Sequence, residues 1–157
     1  MKGNEKVIEN LNLRLAEELT AINQYMVHAE MCDNWRYDRL HKQIEKRAID
    51  EMRHAEKLIA RVLFLEGRPI VSNLNKMHIG DEVPKMHQND RIAEAEAIRG
   101  YNESIRLCVE LGDNGTREML EAILKEEEGH IDLIEAQLDQ IKQMGVENYL
   151  VEQIVEE

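Results

Sequence analysis

Glu51-Met52-Arg53-His54 and Glu127-Glu128-Gly129-His130 decide the reading of this chain. Each sets a carboxylate and an imidazole three residues apart, and on an α-helix that spacing puts both on one face. One such motif is a weak signal in a chain with 32 acidic residues and six histidines. The pair is stronger because its members are offset by 76 residues, and Glu18 and Glu94 share that offset, as do Tyr25 and Tyr101. Four polar positions repeated at one interval predict a duplicated helical hairpin, with half a site on each copy.

Working outward from these motifs, apolar residues recur at helical spacing on both sides. Val7, Leu11, Leu15, Ile22 and Met26 mark a first helix over about 5–34. Leu40, Ile44, Ile49, Met52, Leu58, Ile59, Val62 and Leu63 mark a second over 38–66, stopped by Gly67 and Pro69. A third spans 83–111 and a fourth 116–144, separated by the turn residues of 112–115. Residues 148–156 predict a short fifth helix. The connection over 67–82 is too long for a tight turn and reads as a crossover along a bundle. The expected fold is all-α: an antiparallel four-helix bundle, a long crossover between helices 2 and 3, and a short C-terminal helix, all in one domain over 1–157.

The register places the repeated residues at one height. Glu18 and Glu51 lie equally far from the first turn, and Glu94 and Glu127 equally far from the second. At about 1.5 Å per residue, all four carboxylates sit roughly 24 Å from their turns, near mid-bundle. Glu18 lies between Leu15, Leu19 and Ile22. A carboxylate so placed is costly unless paired, and two divalent metals resolve the conflict. One Glu from each of two helices plus a Glu-x-x-His from each of the others is the di-metal carboxylate pattern. Glu18, Glu51, His54, Glu94, Glu127 and His130 are therefore the expected ligands, with oxygen and nitrogen donors suited to iron or manganese. Taken singly, each would be an ordinary surface residue. Tyr25 and Tyr101, one heptad beyond Glu18 and Glu94, are either packed core residues or donors that orient the metal-bound carboxylates. The pseudo-two-fold pairs Tyr25 with Glu94 and Tyr101 with Glu18.

Composition excludes other classes. The net charge is −12, which argues against nucleic-acid binding and favours cations. Cys32 and Cys108 form no metal-binding spacing. No apolar secretory core opens the chain and no run approaches a membrane span. The expectation is a soluble cytoplasmic protein.

The motifs also carry a resemblance. MKG at residues 1–3, ELTAINQY at 18–25, IDEMRHAEKLI at 49–59, RVLFLEG at 61–67, EEEGHID at 126–132 and MGVENYL at 144–150 resemble bacterioferritin, the haem-containing ferritin of bacteria, over essentially the whole length. The resemblance implies a cytoplasmic iron-storage protein and ferroxidase. Its di-iron centre, two iron ions per subunit, oxidises Fe²⁺ with O₂ or peroxide, and a ferric mineral collects in a hollow shell of 24 identical subunits. It implies a b-type haem shared between two subunits, with Met52 at the axial-ligand position, and a small ferredoxin as reductant. From its residue type alone, Met52 is an adaptable packing residue.

This chain departs from the family pattern at several points. Lys46 stands where many relatives carry histidine, and Arg47 where they carry an acid, which argues against an auxiliary inner-surface iron site, although Asp50 is kept. Leu58 and Leu133 replace aromatics, leaving Tyr25 and Tyr101 as side chains able to supply electrons. Trp35 is kept. Competing readings are a haem-binding or structural shell subunit with little turnover, and another di-metal, peroxide-reducing bundle. The missing Cys-x-x-Cys pairs argue against a rubredoxin-type domain.

Overall fold

The computed structural model describes residues 1–154. Four long helices, α1 (Glu5–Asn34), α2 (Asp38–Phe64), α3 (Val83–Glu110) and α4 (Asn114–Met144), precede the short α5 (Val146–Val151). Helices α1 and α2 form one hairpin and α3 and α4 another; α1 packs on α3 and α2 on α4. This is the four-helix bundle that the periodicity predicts.

Several ends differ from expectation, each for a local reason. Helix α2 stops at Phe64 rather than 66, because Glu66 takes a left-handed conformation (φ 63°) and the Gly67 N–H returns to the Val62 carbonyl at 2.9 Å. Helix α3 ends at Glu110, with Leu111 as its cap. Helix α4 starts two residues early. Asp113 caps it, accepting from the Thr116 N–H at 3.0 Å, so Asn114 and Gly115 join the first turn. Gly145, at φ 80°, ends α4 and directly opens α5. Helix α5 therefore runs 146–151, not 148–156; Gln153 folds back, and its carbonyl accepts from Arg39 at 3.1 Å. The last residues of the expected helix, 155 and 156, lie outside the described residues.

The crossover is fastened to α1 by a ladder of side chains. Asn12 accepts from the Ile70 N–H at 2.9 Å, Thr20 from Asn75 at 2.8 Å, Gln24 from His78 at 3.0 Å and His28 from Gly80 at 2.9 Å. These four positions ascend one face of α1 at multiples of four, so the strap runs parallel to the helix for roughly 24 Å. They supply acceptors to backbone N–H groups that no helix or sheet satisfies.

Below that ladder, Asp90 of α3 is fully buried and gathers three partners. Gln24 donates to it at 2.9 Å, His28 Nδ1 lies 2.9 Å away, and Arg47 donates at 3.0 Å. Burial alone would raise this carboxyl; the Arg47 guanidinium and the bonds from His28 and Gln24 hold it below the usual carboxylate range. Arg47, which sequence reading places with the inner surface, is thus a core residue, its guanidinium 4.4 Å above the Tyr25 ring.

The apolar core has two halves. Val7, Leu11, Leu15, Leu58, Val62, Leu120 and Ile123 fill one end with Tyr101. Leu40, Ile44, Val83, Met86 and Tyr149 fill the other with Tyr25. Each fully buried Leu or Ile contributes about 1.5–3 kcal/mol, and that packing offsets the polar layer between them. Not every periodic residue joins the core: Met26, Ile49, Met52 and Leu63 face outward.

Candidate metal centre

Between the two apolar halves, α1 contributes Glu18, α2 Glu51 and His54, α3 Glu94, and α4 Glu127 and His130. The structure brings all six together. Their donor atoms form two overlapping groups, Glu18, Glu51, His54 and Glu127, and Glu51, Glu94, Glu127 and His130, each within 4.8 Å. Glu51 and Glu127 belong to both groups and so occupy the bridging positions. Glu18 and His54 terminate one side, Glu94 and His130 the other.

The distances show imidazoles turned into the carboxylates. His54 Nδ1 lies 3.0 Å from Glu127 and 3.5 Å from Glu18. His130 Nδ1 lies 2.8 Å from Glu51 and 3.4 Å from Glu94. All four glutamates are 1% exposed or less. Burial drives Glu51 well above the ordinary carboxyl range and Glu94 up to about 8. Glu127 goes the other way: burial opposes it, but the imidazoles of His130 and His54 close beside it hold it down. Burial also disfavours the charged imidazoles, yet Glu127 first, then Glu18 and Glu51, keep His54 far above its usual value, and Glu127, Glu51 and Glu94 push His130 up to about 12. Without a cation, protons occupy this cluster.

Four further side chains hold four of the six, one each, and every one reaches across from the other hairpin. Tyr101 of α3 donates to Glu18 at 2.6 Å, and Tyr25 of α1 donates to Glu94 at 2.7 Å. Glu126 of α4 bonds His54 Nε2, and Asp50 of α2 bonds His130 Nε2 at 3.1 Å. A carboxylate on Nε2 sets the ring so that Nδ1 faces the centre, as in many metal-bound histidines. Sequence reading missed Glu126 and gave Asp50 a different role. A signal was available: residues 50 and 126 are offset by the same 76 and directly precede the two bridging glutamates. Lys46 also donates to Asp50, at 3.0 Å.

Other expected residues lie apart. Met52 is 45% exposed on the outer face of α2, near exposed Ile49, while its neighbour Glu51 is buried. Leu58 is core and Leu133 exposed. Cys32 and Cys108 are buried free thiols, pushed by burial to about 12 and about 11, so neither offers a thiolate at neutral pH. A cavity of about 50 Å³ lined by Glu17, Asn75 and Glu96 also touches Glu18, Glu51 and Glu127. Among the described residues, no helix is long and apolar enough to cross a membrane.

The chain is similar in sequence to known proteins. The family model described as a ferritin-like domain matches residues 8–144. The bacterioferritin of Brucella melitensis is 42% identical over 149 residues, covering 95% of this chain and 92% of that relative. That of Streptomyces coelicolor is 43% identical over 150 residues, covering 96% and 90%. That of Rhodobacter capsulatus is 38% identical over 149 residues, covering 95% and 92%.

Proposed function

This chain belongs to the bacterioferritin family of ferritin-like proteins, and on that footing we propose that it stores iron, oxidising Fe²⁺ at paired sites inside each bundle. One observation carries the reading. Each of the six residues has a buried donor or acceptor atom with no hydrogen-bond partner: Glu18 Oε2, Glu51 Oε1, His54 Nδ1, Glu94 Oε2, both Glu127 oxygens and His130 Nδ1. Buried polar atoms are nearly always satisfied. Seven such atoms facing one another mark a place built for cations.

Two Fe²⁺ supply four positive charges, which balance four carboxylates. Glu18 and His54 would hold one iron, Glu94 and His130 the other, with Glu51 and Glu127 across both. Iron here is substrate, and two Fe²⁺ deliver two electrons to one O₂, which takes up two protons and leaves as hydrogen peroxide. The residues supply position and charge. Tyr101 and Tyr25 fix the terminal carboxylates through their second oxygens. Glu126 and Asp50 fix the imidazoles and accept the Nε2 protons. The apolar layers on both sides strengthen each electrostatic contact. Entry of iron must displace the protons now shared by His54, His130, Glu51 and Glu94, so binding releases protons and strengthens as pH rises. The small cavity beside Glu17 and Glu96 offers an acidic approach from outside the bundle.

The same reading extends to assembly. Subunits join in a hollow shell of 24 that receives the ferric product, and the exposed Met26, Ile49 and Met52 stripe is the contact between two-fold partners. Met52 would offer a thioether axial ligand there to a haem, which would supply a route for electrons to the stored iron.

The test is stopped-flow absorbance after two Fe²⁺ per subunit are added in air to the metal-free protein and to Glu18→Ala and His130→Ala. A fast phase that saturates at two irons and vanishes in both variants is expected. Equal slow oxidation in all three would refute the ferroxidase and leave a shell protein without turnover.

A further inference from the structure

The cavity beside the paired centre lies on the axis of the internal repeat. At the offset of 76, Glu17 corresponds to Ala93, Thr20 to Glu96 and Ala21 to Ala97, and all six line it. It therefore sits where α1 meets α3, with exposed Glu96 on its outer side and buried Glu18, Glu51 and Glu127 on its inner side. Its volume, about 50 Å³, exceeds the roughly 10–15 Å³ that one water needs, so a partly hydrated cation fits. Duplication does not require an acid at 17 or at 96, since the corresponding positions hold alanine and threonine.

Two observations single out Glu17. Its oxygens are treated differently: Oε1 lies 2.9 Å from Arg14 Nη2, while Oε2 is buried without a hydrogen-bond partner. A buried oxygen left open is costly, and this one is free for a cation. Arg14, in turn, is seated inside the α1–α3 contact. Its side chain is 7% exposed, Nη1 donates to Ser104 at 3.3 Å, and Ser104 donates to Asn10 at 3.0 Å. Gly100 makes the seat possible, because a Cβ there would stand 2.3 Å from Arg14 Nη1.

The other half of the repeat supplies the comparison. Arg14, Gly100 and Ser104 correspond to Asp90, Gln24 and His28. There the buried charge is closed off, with both Asp90 oxygens taken by Gln24, His28 and Arg47. Here the buried charge is paired with a carboxylate that keeps one oxygen open, one residue from Glu18.

We propose, on the reading of a paired metal centre, that Glu17 is a transfer ligand for divalent cations on their way to that centre, and that Arg14 is the positioning residue that holds it at the cavity. A group on a conduction path must bind well enough to admit an ion and weakly enough to release it. The open Oε2 meets the first demand. The guanidinium on Oε1 meets the second, since its positive charge weakens the hold of Glu17 on a cation and passes the ion inward. Met26, at the proposed two-fold contact, is nine residues further along α1 and so points about 180° away, which leaves the mouth clear of that contact.

The test separates the rate of entry from the affinity at the centre. Metal-free assembled protein is mixed anaerobically with Co²⁺ and followed by stopped-flow absorbance, and the equilibrium is titrated against a competing chelator. Glu17→Gln keeps the side chain's size and its bond from Arg14. It should slow Co²⁺ entry roughly tenfold, and slow release to the chelator by the same factor, with two ions per subunit still bound at wild-type affinity. Arg14→Gln should slow entry in the wild-type background and add nothing to Glu17→Gln, a coupling that a merely structural role would not produce. Wild-type entry rates in Glu17→Gln with two ions bound tightly would overturn the proposal alone, as would slowing matched by an equal loss of affinity. Failure of the wild type to take two ions would sink the paired centre, and the transfer ligand with it.

Discussion

Tyr101→Phe removes one atom from a buried and fully packed position. The ring stays; the hydroxyl that donates to Glu18 Oε1 at 2.6 Å goes. Phenylalanine fits the same space, so the change isolates the hydrogen bond. A bond of this kind to a charged acceptor is worth about 1.5–3 kcal/mol, or about 10- to 150-fold in a binding constant. The carboxylate also loses its fixed rotamer, which acts in the same direction. The crossed geometry makes the prediction more specific than a general weakening. The Tyr101 hydroxyl bonds Glu18 and the Tyr25 hydroxyl bonds Glu94, so each variant should cripple one half of the centre and spare the other. The assay is anaerobic titration with Co²⁺ as a redox-silent stand-in for Fe²⁺, against a competing chelator. Wild type should take two ions per subunit tightly; each variant should take one tightly and one weakly. Combining Tyr101→Phe with Glu18→Ala should cost little more than Glu18→Ala alone, whereas combining it with Glu94→Ala should be additive. Binding within twofold of wild type, or a loss shared equally by both ions, would refute the claim that each tyrosine serves one terminal carboxylate.

Two other perturbations probe the frame that carries the centre. In Gly80→Ala, the new Cβ would stand 2.5 Å from the Met86 backbone nitrogen, which cannot yield as a side chain can; the crossover should lift away from α3, lose the bond from the Gly80 N–H to His28, and lower stability by about 1–3 kcal/mol, read as a fall in thermal midpoint, with an unchanged midpoint counting against the ladder. His87 is 1% exposed and burial lowers it from 6.5 to about 4, so the folded state keeps it neutral while the unfolded chain takes a proton below about 6.5; its stabilisation is present above that pH and disappears as pH falls through about 4, a loss of roughly 3 kcal/mol. His87→Gln should therefore flatten the fall in denaturant midpoint between pH 6.5 and 4, and an unchanged slope would show that other groups control the acid limb.

The sequence exposed some parts of this molecule and hid others for physical reasons. The four helices and the six central residues were legible because a duplicated hairpin repeats its costly residues. Glu18 among leucines would be selected against unless something offset it, and the matching offset at Glu94 shows that something does. Helix ends were less legible, since they depend on single capping contacts such as Asp113 with Thr116 or the left-handed Glu66. Arg47 was misplaced because its partner, Asp90, is 43 residues away on a helix it meets only in three dimensions. Met26 and Ile49 entered the reading only as periodic apolar positions, because periodicity registers an apolar face without saying whether this chain or another covers it.

The crossed pattern is where sequence and structure together say most. The proposed terminal ligands pair within a hairpin: Glu18 with His54, Glu94 with His130. Every residue that steadies them comes from the opposite hairpin: Tyr101 and Glu126 for the first pair, Tyr25 and Asp50 for the second. A single hairpin therefore carries ligands for one ion but nothing to aim them. The bridging glutamates add the same constraint, since each belongs to both groups of donors. Correct ligand geometry thus requires the two hairpins to be docked in register, and ions bound across them resist their separation. On the proposed function, metal binding and docking of the hairpins would be one linked equilibrium, which would account for four carboxylates surviving at the centre of a bundle that would otherwise be more stable without them.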